Sequence, residues 1–285
     1  MLTEGERESF HRLLDIALQE DLDLRGDVTS EAIFQGERCA CRLVSKDAGI
    51  LAGMECFQEV FRRIDSSIQW EGGLVDGDEL TPGMVVARFS GATKSILIGE
   101  RTALNFLGYL SGIATITHRM VLAAKEKGKA SILDTRKTLP GYRALAKYAV
   151  RVGGGRNHRF GLYDMVLIKD NHIDAVGSLS EAVKRVRTRW GREFLVEVEC
   201  RTMEDVREAV EAGVDRILLD NMDPETTQAA VHWVAGRVPL ESSGDMTLER
   251  VGTYAATGVD FISVGRITHS VPSFNFSLQV EKGRS

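Results

Sequence analysis

The sequence predicts an α/β protein whose second half is an open or incomplete (β/α) barrel, and three observations carry that reading. From residue 130 onward, short strand-like runs recur at 130–134, 165–169, 195–199, 216–220, 238–242 and 260–265. Helical patterns separate several of them, and strands alternating with helices imply parallel βαβ units. Each run also ends in a polar, charged or glycine residue: Asp134, Lys169, Glu199, Asp220, Ser242–Ser243 and Gly265. A core alone would put apolar or turn residues there, whereas parallel strands of a barrel enzyme deliver their site residues to one shared rim. Six runs do not establish the eight strands of a closed barrel, so an open or incomplete one fits.

In chain order, residues 4–20 place Phe10, Leu13, Leu14, Ile16 and Ala17 at helical spacing, and a turn-rich stretch follows over 21–30. Short strands are expected at 41–45, 49–52 and 84–90, with a helix over 55–64. The run Val75-Asp-Gly-Asp-Glu-Leu-Thr-Pro-Gly-Met-Val-Val resembles the small sandwich half of biotinyl and lipoyl carriers. Those carriers present a lysine in a specific hairpin motif, and Lys94 in Gly-Ala-Thr-Lys-Ser lacks that context, so the likeness is one of fold. Residues 100–127 read as helix, broken near Ser111–Gly112. The clearest later helix spans 203–212, with Val206, Ala209 and Val210 on one face.

The 285 residues are 43% hydrophobic and 27% charged with only five prolines, a globular composition that excludes a disordered or fibrous chain. No apolar run approaches the roughly 20 residues of a membrane span. The acidic N-terminal stretch is unlike a secretory signal. Cys39, Cys41, Cys56 and Cys200 lack Cys-x-x-Cys spacing, which favours free thiols in a cytoplasmic setting. The net charge of −5 argues against general nucleic-acid binding.

Charge is uneven. Between Asp134 and His172 eight cations (Arg136, Lys137, Arg143, Lys147, Arg151, Arg156, Arg159 and Lys169) face three acids. Either this is a solvated basic face, or it focuses an anionic ligand. Interleaved glycine and histidine favour a pocket. Arg136 and Lys137 follow a strand, where a guanidinium can grip a carboxylate or phosphate in bidentate fashion and a lysine adds a point charge. In Arg151-Val-Gly-Gly-Gly-Arg-Asn-His-Arg159 the glycines permit close backbone approach, and the Gly-Lys-Ser/Thr ending of a nucleotide P-loop is missing. Glu197 and Glu199 share one strand face, with Glu199 nearer the rim. Glu199 and Asp220 suit either sugar hydroxyls or a hydrated Mg2+ carried in by phosphates; a structural ion pair is the plain alternative. Glu241-Ser-Ser-Gly-Asp245 and Ser263-Val-Gly-Arg266 offer exposed backbone amides for a phosphate, or tight turns.

Asp134-Thr-Arg-Lys-Thr-Leu-Pro-Gly and the run from Tyr148 through Arg151-Val-Gly-Gly-Gly-Arg-Asn-His-Arg to Lys169-Asp-Asn-His172 resemble quinolinate phosphoribosyltransferase, a type II phosphoribosyltransferase family. Glu20-Asp-Leu, Gly26-Asp-Val-Thr-Ser30, Glu100-Arg-Thr-Ala-Leu-Asn105, Val196-Glu-Val-Glu, Leu219-Asp-Asn-Met, Ser243-Gly and Gly258-Val-Asp-Phe-Ile-Ser-Val-Gly extend the match over nearly the whole chain. The resemblance implies an α/β sandwich-like domain over 1–113, a barrel over 114–268, and a tail over 269–285 that returns to the first domain. It implies conversion of quinolinate and phosphoribosyl pyrophosphate to nicotinate mononucleotide, pyrophosphate and CO2 in NAD synthesis, with Mg2+. Arg136, His158, Arg159 and Lys169 would hold the quinolinate carboxylates, beside Thr135, and Lys137 would lie between the substrates. Arg101 would reach in from a neighbouring subunit of a homodimer. Glu199 and Asp220 would serve ribose and Mg2+, and Ser243–Gly244 and Val264–Gly265 the phosphate. Asp245 stands where the family commonly has glycine or asparagine, and Arg266 where a small or apolar residue is common. An acid there must turn away from phosphate or pair, and Arg266 is the expected partner. A related transferase acting on another pyridine acid, or a silent metabolite binder, would share much of this pattern.

Overall fold

Thr3 opens the first helix. In the computed structural model, which describes residues 1–281, its hydroxyl accepts the Glu6 N–H while the Glu6 carboxylate accepts the Thr3 N–H, a capping box that starts α1 (Glu4–Leu22). Phe10 and Leu14, one turn apart, are buried on one face; Ile16, which the apolar stripe includes, is exposed. Asp27 caps α2 (Val28–Ile33) by accepting the Thr29 and Ser30 N–H groups. Then follow β1 (Arg38–Ser45), β2 (Gly49–Ile50), α3 (Met54–Ile64), β3 (Gln69–Gly73), β4 (Glu79–Leu80), β5 (Val85–Ala92) and the long α4 (Thr93–Lys127).

The break that Ser111–Gly112 leads one to expect is absent from α4. Both small residues serve close packing instead. The Ser111 hydroxyl accepts the Ala52 N–H at 3.0 Å and donates to the Ala52 carbonyl at 3.1 Å. A Cβ on Gly112 would lie 2.3 Å from the Pro272 carbonyl oxygen.

Beyond it come β6 (Ser131–Leu133), α5 (Arg143–Val152), β7 (Val166–Ile168), α6 (Asp170–Val176), α7 (Leu179–Trp190), β8 (Val196–Cys200) and α8 (Met203–Glu211). The chain continues through β9 (Arg216–Asp220), α9 (Pro224–Val234), β10 (Leu240–Ser243), α10 (Leu248–Ala256), β11 (Phe261–Ser263), α11 (Arg266–His269) and β12 (Phe276–Glu281).

Two compact units result. The first comprises residues 1–116, 139–154 and those from 270 onward; the second comprises 117–138 and 155–269. Relative to a simple division near 113 and 268, the difference is α5, which belongs to the first unit. Its Ala144–Val150 stretch is buried there, Arg151 bonds Glu6 at 2.7 Å, and the Tyr148 hydroxyl donates to Asp76. The first unit is built on an antiparallel sheet in the order β12-β1-β5-β3, so the tail does return to pair with β1, Ala40 facing Glu281 and Ser45 facing Phe276. Its core is aromatic: Phe57, Phe61 and Phe89 are fully buried, with the Trp70 ring 4.5 Å from that of Phe89.

The second unit carries six parallel strands in the order β6-β11-β10-β9-β8-β7, an open sheet with helices between its strands. The free edge of β6 is taken up by one parallel bridge, Leu133 with Arg156, which leads the chain into the Asn157–Arg159 loop on the way to β7.

Candidate active site

Register arranges the charges of the second unit in layers. Residues two apart on a strand share a face, which groups Glu197 with Glu199, Arg216 with Asp220, and Glu241 with Ser243. Glu197 lies beside Arg216, Glu199 beside Leu218, Leu218 beside Glu241, and Asp220 beside Ser243. Asp220 and Ser243 therefore end their strands side by side, with Glu199, Leu218 and Glu241 one row deeper and Glu197 and Arg216 one row deeper still.

At the strand ends lies a cavity of about 340 Å³ lined by Thr135, Lys137, Asp220, Ser243, Gly244, Asp245, Gly265 and Arg266, all expected from the sequence. Ser263, which opens the Ser263-Val-Gly-Arg266 run, lines it too, as do Asn221, Met246 and His269, which were not expected. Asn221 follows a charged strand end and reads as a turn residue; it does adopt φ 53°. Gly244 has to be glycine: at φ 112° a Cβ there would sit 2.2 Å from the Asn221 side-chain oxygen. Gly265 clears space for its neighbours, since a Cβ there would meet Lys137 Cδ at 3.0 Å and His269 Cδ2 at 3.2 Å. The Lys137 loop is tied down at both ends of its peptide. Its N–H donates to Thr135 Oγ1 at 3.0 Å and its carbonyl accepts from Thr268 Oγ1 at 2.8 Å.

Two expectations for the phosphate loops need correction. Val264 is buried and its N–H is committed to the Leu133 carbonyl at 2.9 Å, so it offers no donor to a ligand. Asp245 is not matched by Arg266. Its carboxylate points outward, 80% exposed, 3.9 Å from Arg250, which also donates to the Asp245 carbonyl at 2.7 Å. The φ of 40° at Asp245 turns the side chain away from the cradle.

The remaining cations gather at the start of β7 and at its end. Arg159 donates to the Met165 carbonyl at 3.2 Å. Its guanidinium is held below its usual range, by burial first and then by the positive charge of Arg136. The carboxylates of Glu197, Asp164 and Glu199 act in the opposite direction. Lys169, at the N-terminus of α6, reaches Glu199 Oε1 at 3.3 Å. Of the eight cations in the sequence cluster, Arg143, Lys147 and Arg151 lie on α5 in the first unit, and Lys147 is buried. Arg101 is exposed on α4, also in the first unit.

Deeper in the second unit, Asp134 is fully buried; it accepts the His158 N–H at 2.9 Å and the Asn157 side-chain amide at 2.6 Å. His158 Nδ1 accepts the Arg159 N–H at 2.7 Å, and Nε2 lies 3.0 Å from Glu197 and 3.5 Å from Glu241. The His158 side chain is only 7% exposed. Glu197 and Glu241 are fully buried, with Arg216 3.2 Å from Glu241 and 4.0 Å from Glu197. Burial raises the Glu197 carboxyl, held back in part by Arg216; burial and then the Glu197 charge push Glu241 up to about 8. Composition could not reveal this layer, because a glutamate one step below the rim looks like any strand residue.

For a metal, Asp220 offers carboxylate oxygens in the cavity, and Glu199, 15% exposed and paired with Lys169, stands on the neighbouring strand. That donor chemistry fits a hydrated Mg2+, which keeps most of its waters and takes few carboxylates.

Comparison with known proteins follows the same lines. The model of the quinolinate phosphoribosyl transferase C-terminal domain matches residues 113–279, and that of the N-terminal domain matches residues 27–111. A probable nicotinate-nucleotide pyrophosphorylase [carboxylating] of Bacillus subtilis is 44% identical over 269 residues, covering 94% of this chain and 92% of that protein. A chloroplastic nicotinate-nucleotide pyrophosphorylase [carboxylating] of Arabidopsis thaliana is 41% identical, covering 94% of this chain and 82% of that one. Among solved structures, NadC from Streptococcus pyogenes superposes with a TM-score of 0.92 at 40% identity, over 99% of both chains. This chain belongs to the quinolinate phosphoribosyl transferase family.

Proposed function

We propose that the protein transfers the phosphoribosyl group of phosphoribosyl pyrophosphate to quinolinate and releases CO2, giving nicotinate mononucleotide and pyrophosphate for NAD synthesis. The observation that carries this reading is the cavity at the strand ends, which brings Lys137, Arg266 and Asp220 together with the Ser243–Gly244 and Gly265 turns. Family membership supplies the substrate class.

In this reading Arg136, Arg159 and Lys169 hold the two carboxylates of quinolinate, and Lys137 balances charge between the substrates. Ser243, Gly244 and Gly265 cradle the phosphate, with Thr135 alongside. Glu199 and Asp220 orient the ribose hydroxyls and, through water, hold Mg2+, which when bound offsets charge on the departing pyrophosphate. The ring nitrogen attacks the anomeric carbon as the pyrophosphate bond breaks. The ring, now cationic, stabilises the electron pair left on the adjacent carbon when its carboxylate departs as CO2, and a proton from water then bonds to that carbon to give the nicotinate ring. No protein nucleophile is required; positioning and electrostatics lower the barrier. Arg101 completes the pocket of a second copy, so the working unit is a homodimer, and the setting is the cytoplasm. Among the described residues no helix is long and apolar enough to cross a membrane.

Purified protein incubated with both substrates and Mg2+ should release CO2 and pyrophosphate in equal amounts. Binding of both substrates without turnover, or turnover of a different pyridine acid without CO2, would overturn the assignment. Arg159→Ala should lower kcat/KM for quinolinate about 10²–10³-fold, as expected for loss of a charged contact in a water-poor site, and unchanged constants would remove Arg159 from the site.

A further inference from the structure

We propose that Arg250 and Tyr254, two α10 side chains outside the cavity, are positioning residues. They turn the Gly244–Met246 main chain so that the Asp245 and Met246 N–H groups grip the 5-phosphate of phosphoribosyl pyrophosphate. The inference deepens the proposed function and rests on its placing of a phosphate at this turn.

The turn is held from one side. Arg250 Nη1 donates to the Asp245 carbonyl at 2.7 Å and, more weakly, to the Gly244 carbonyl at 3.4 Å. Arg250 Nη2 donates to the Tyr254 hydroxyl at 2.9 Å, and that hydroxyl donates to the Met222 carbonyl, also at 2.9 Å. Tyr254 is buried, and its hydroxyl both donates and accepts inside the protein. Met222 follows Asp220-Asn221 at the end of β9, and the Asn221 N–H donates to the Ser243 carbonyl at 3.0 Å. One guanidinium and one phenol therefore tie the loop after β9 to the turn after β10.

In a planar trans peptide the C=O and the N–H point in opposite directions. Drawing the Gly244 and Asp245 carbonyls to Arg250 therefore directs the Asp245 and Met246 N–H groups away from it. Gly244, Asp245 and Met246 all line the cavity at the strand ends, whereas Arg250 and Tyr254 do not. Among the described residues neither N–H has an acceptor in the protein. Two successive main-chain donors in a cavity that also holds Lys137 and Arg266 suit a phosphate oxygen, to which each gives a charge-assisted hydrogen bond. The same arrangement accounts for Asp245. At φ 40° its carboxylate leaves the cradle and lies 3.9 Å from Arg250, so the acid joins the clamp and does not face the phosphate.

Three variants test the clamp. Arg250→Leu removes it, Arg250→Lys keeps the charge on a single ammonium, and Tyr254→Phe cuts the link to Met222 at constant charge. Arg250→Leu should raise the KM for phosphoribosyl pyrophosphate about 10-fold, the scale on which small misplacements of binding groups act, while the quinolinate KM changes less than about threefold. Tyr254→Phe should raise the phosphoribosyl pyrophosphate KM about threefold, as loss of one hydrogen bond would. Arg250→Lys should fall between the parent and Arg250→Leu. Should Arg250→Leu fail to fold by circular dichroism, Tyr254→Phe, which deletes one oxygen, decides by the same split between the two KM values. A second arm needs no turnover. In 15N-methionine-labelled protein, with Met246 assigned by Met246→Leu, the Met246 amide proton should move downfield on saturation with ribose 5-phosphate. Calorimetry should show ribose 5-phosphate bound about 10-fold more weakly by Arg250→Leu, with inorganic pyrophosphate affected less than about threefold. Equal rises of both KM values, an unchanged phosphoribosyl pyrophosphate KM, equal weakening of pyrophosphate, or a Met246 amide unmoved by ribose 5-phosphate would each overturn the proposal. So would full recovery in Arg250→Lys with Tyr254→Phe at the parental value, which would reduce Arg250 to its charge. Wild-type protein that binds ribose 5-phosphate in this way and makes no nicotinate mononucleotide would sink the functional reading instead and leave the clamp standing.

Discussion

The two units treat buried carboxyl groups in opposite ways. In the first, Glu6 sits in the opening turn of α1. Burial raises its pKa, but the Thr3 N–H and Arg151 outweigh that and bring the carboxyl below its usual range. The helix N-terminus and a cation make the charged form the comfortable one. In the second, Glu241 is surrounded by a like charge on Glu197, and His158 and Arg216 only partly compensate, so burial wins and the carboxyl is pushed up to about 8. One carboxylate stabilises its unit by being charged. The other is kept where charge is unwelcome, beneath the polar carboxyl ends of the parallel strands. Buried charge that costs stability marks where a fold serves something other than itself.

The largest test of this contrast lies in the aromatic core. Phe61 is fully buried, with ring centroids of Phe57 and Phe89 5.1 and 5.0 Å away. Phe61→Ala should cost about 3–5 kcal/mol of unfolding free energy, the usual range for deleting a core phenylalanine. Denaturant unfolding at constant m-value measures it. Substrate KM values of the folded fraction should stay near those of the parent. A loss of quinolinate affinity as large as that expected of Arg159→Ala would show that the aromatic core, too, sets the site, and the contrast would fail.

The contrast also explains what the sequence could and could not disclose. The six parallel strands were legible because each is a short apolar run closed by a polar residue, and the rim positions Lys137, Asp220, Ser243 and Gly265 do line one cavity. Legibility failed where meaning depends on a distant partner. Ser111–Gly112 looks like a helix break until Ala52 and Pro272 are seen to press against it. Arg151 and Lys147 look like part of an anion site, yet α5 belongs to the first unit, where Arg151 serves Glu6. Alternation in Val196-Glu-Val-Glu puts Glu197 on the face of Glu199, but only the register, which sets it beside Arg216 on the neighbouring strand, reveals the buried layer.

The pH dependence of stability separates the two carboxyls. Glu241, raised from 4.5 to about 8, contributes stability that is fully present below about pH 4.5 and is lost as pH rises toward 8, because the native state holds the proton that the unfolded chain releases. Unfolding midpoints should therefore decline from about pH 5 to 8, and Glu241→Gln should flatten that decline. A decline of unchanged steepness in Glu241→Gln would mean that Glu241 is not held protonated, and the two carboxyls would be alike after all.

The smallest effect belongs to Glu6, where the sign reverses. A depressed carboxyl contributes stability above its unfolded pKa and loses it as pH falls through the lower native value, so its window opens below about pH 4.5. Glu6→Gln keeps an oxygen to accept the Thr3 N–H, and so preserves half of the capping box, but it discards the charge facing Arg151 at 2.7 Å. Arg151 is 40% exposed, and water screens the pair. The expected cost near neutral pH is about 1 kcal/mol, the scale of a charged group at a helix N-terminus with one partly solvated partner. Glu6→Ala, which loses the cap as well, should cost about 1 kcal/mol more. Pairing Glu6→Gln with Arg151→Met in a double-mutant cycle isolates the ion pair. A coupling near zero would place the benefit in the cap alone, and the first unit's carboxyl would then owe its charge to backbone N–H groups, not to a cation.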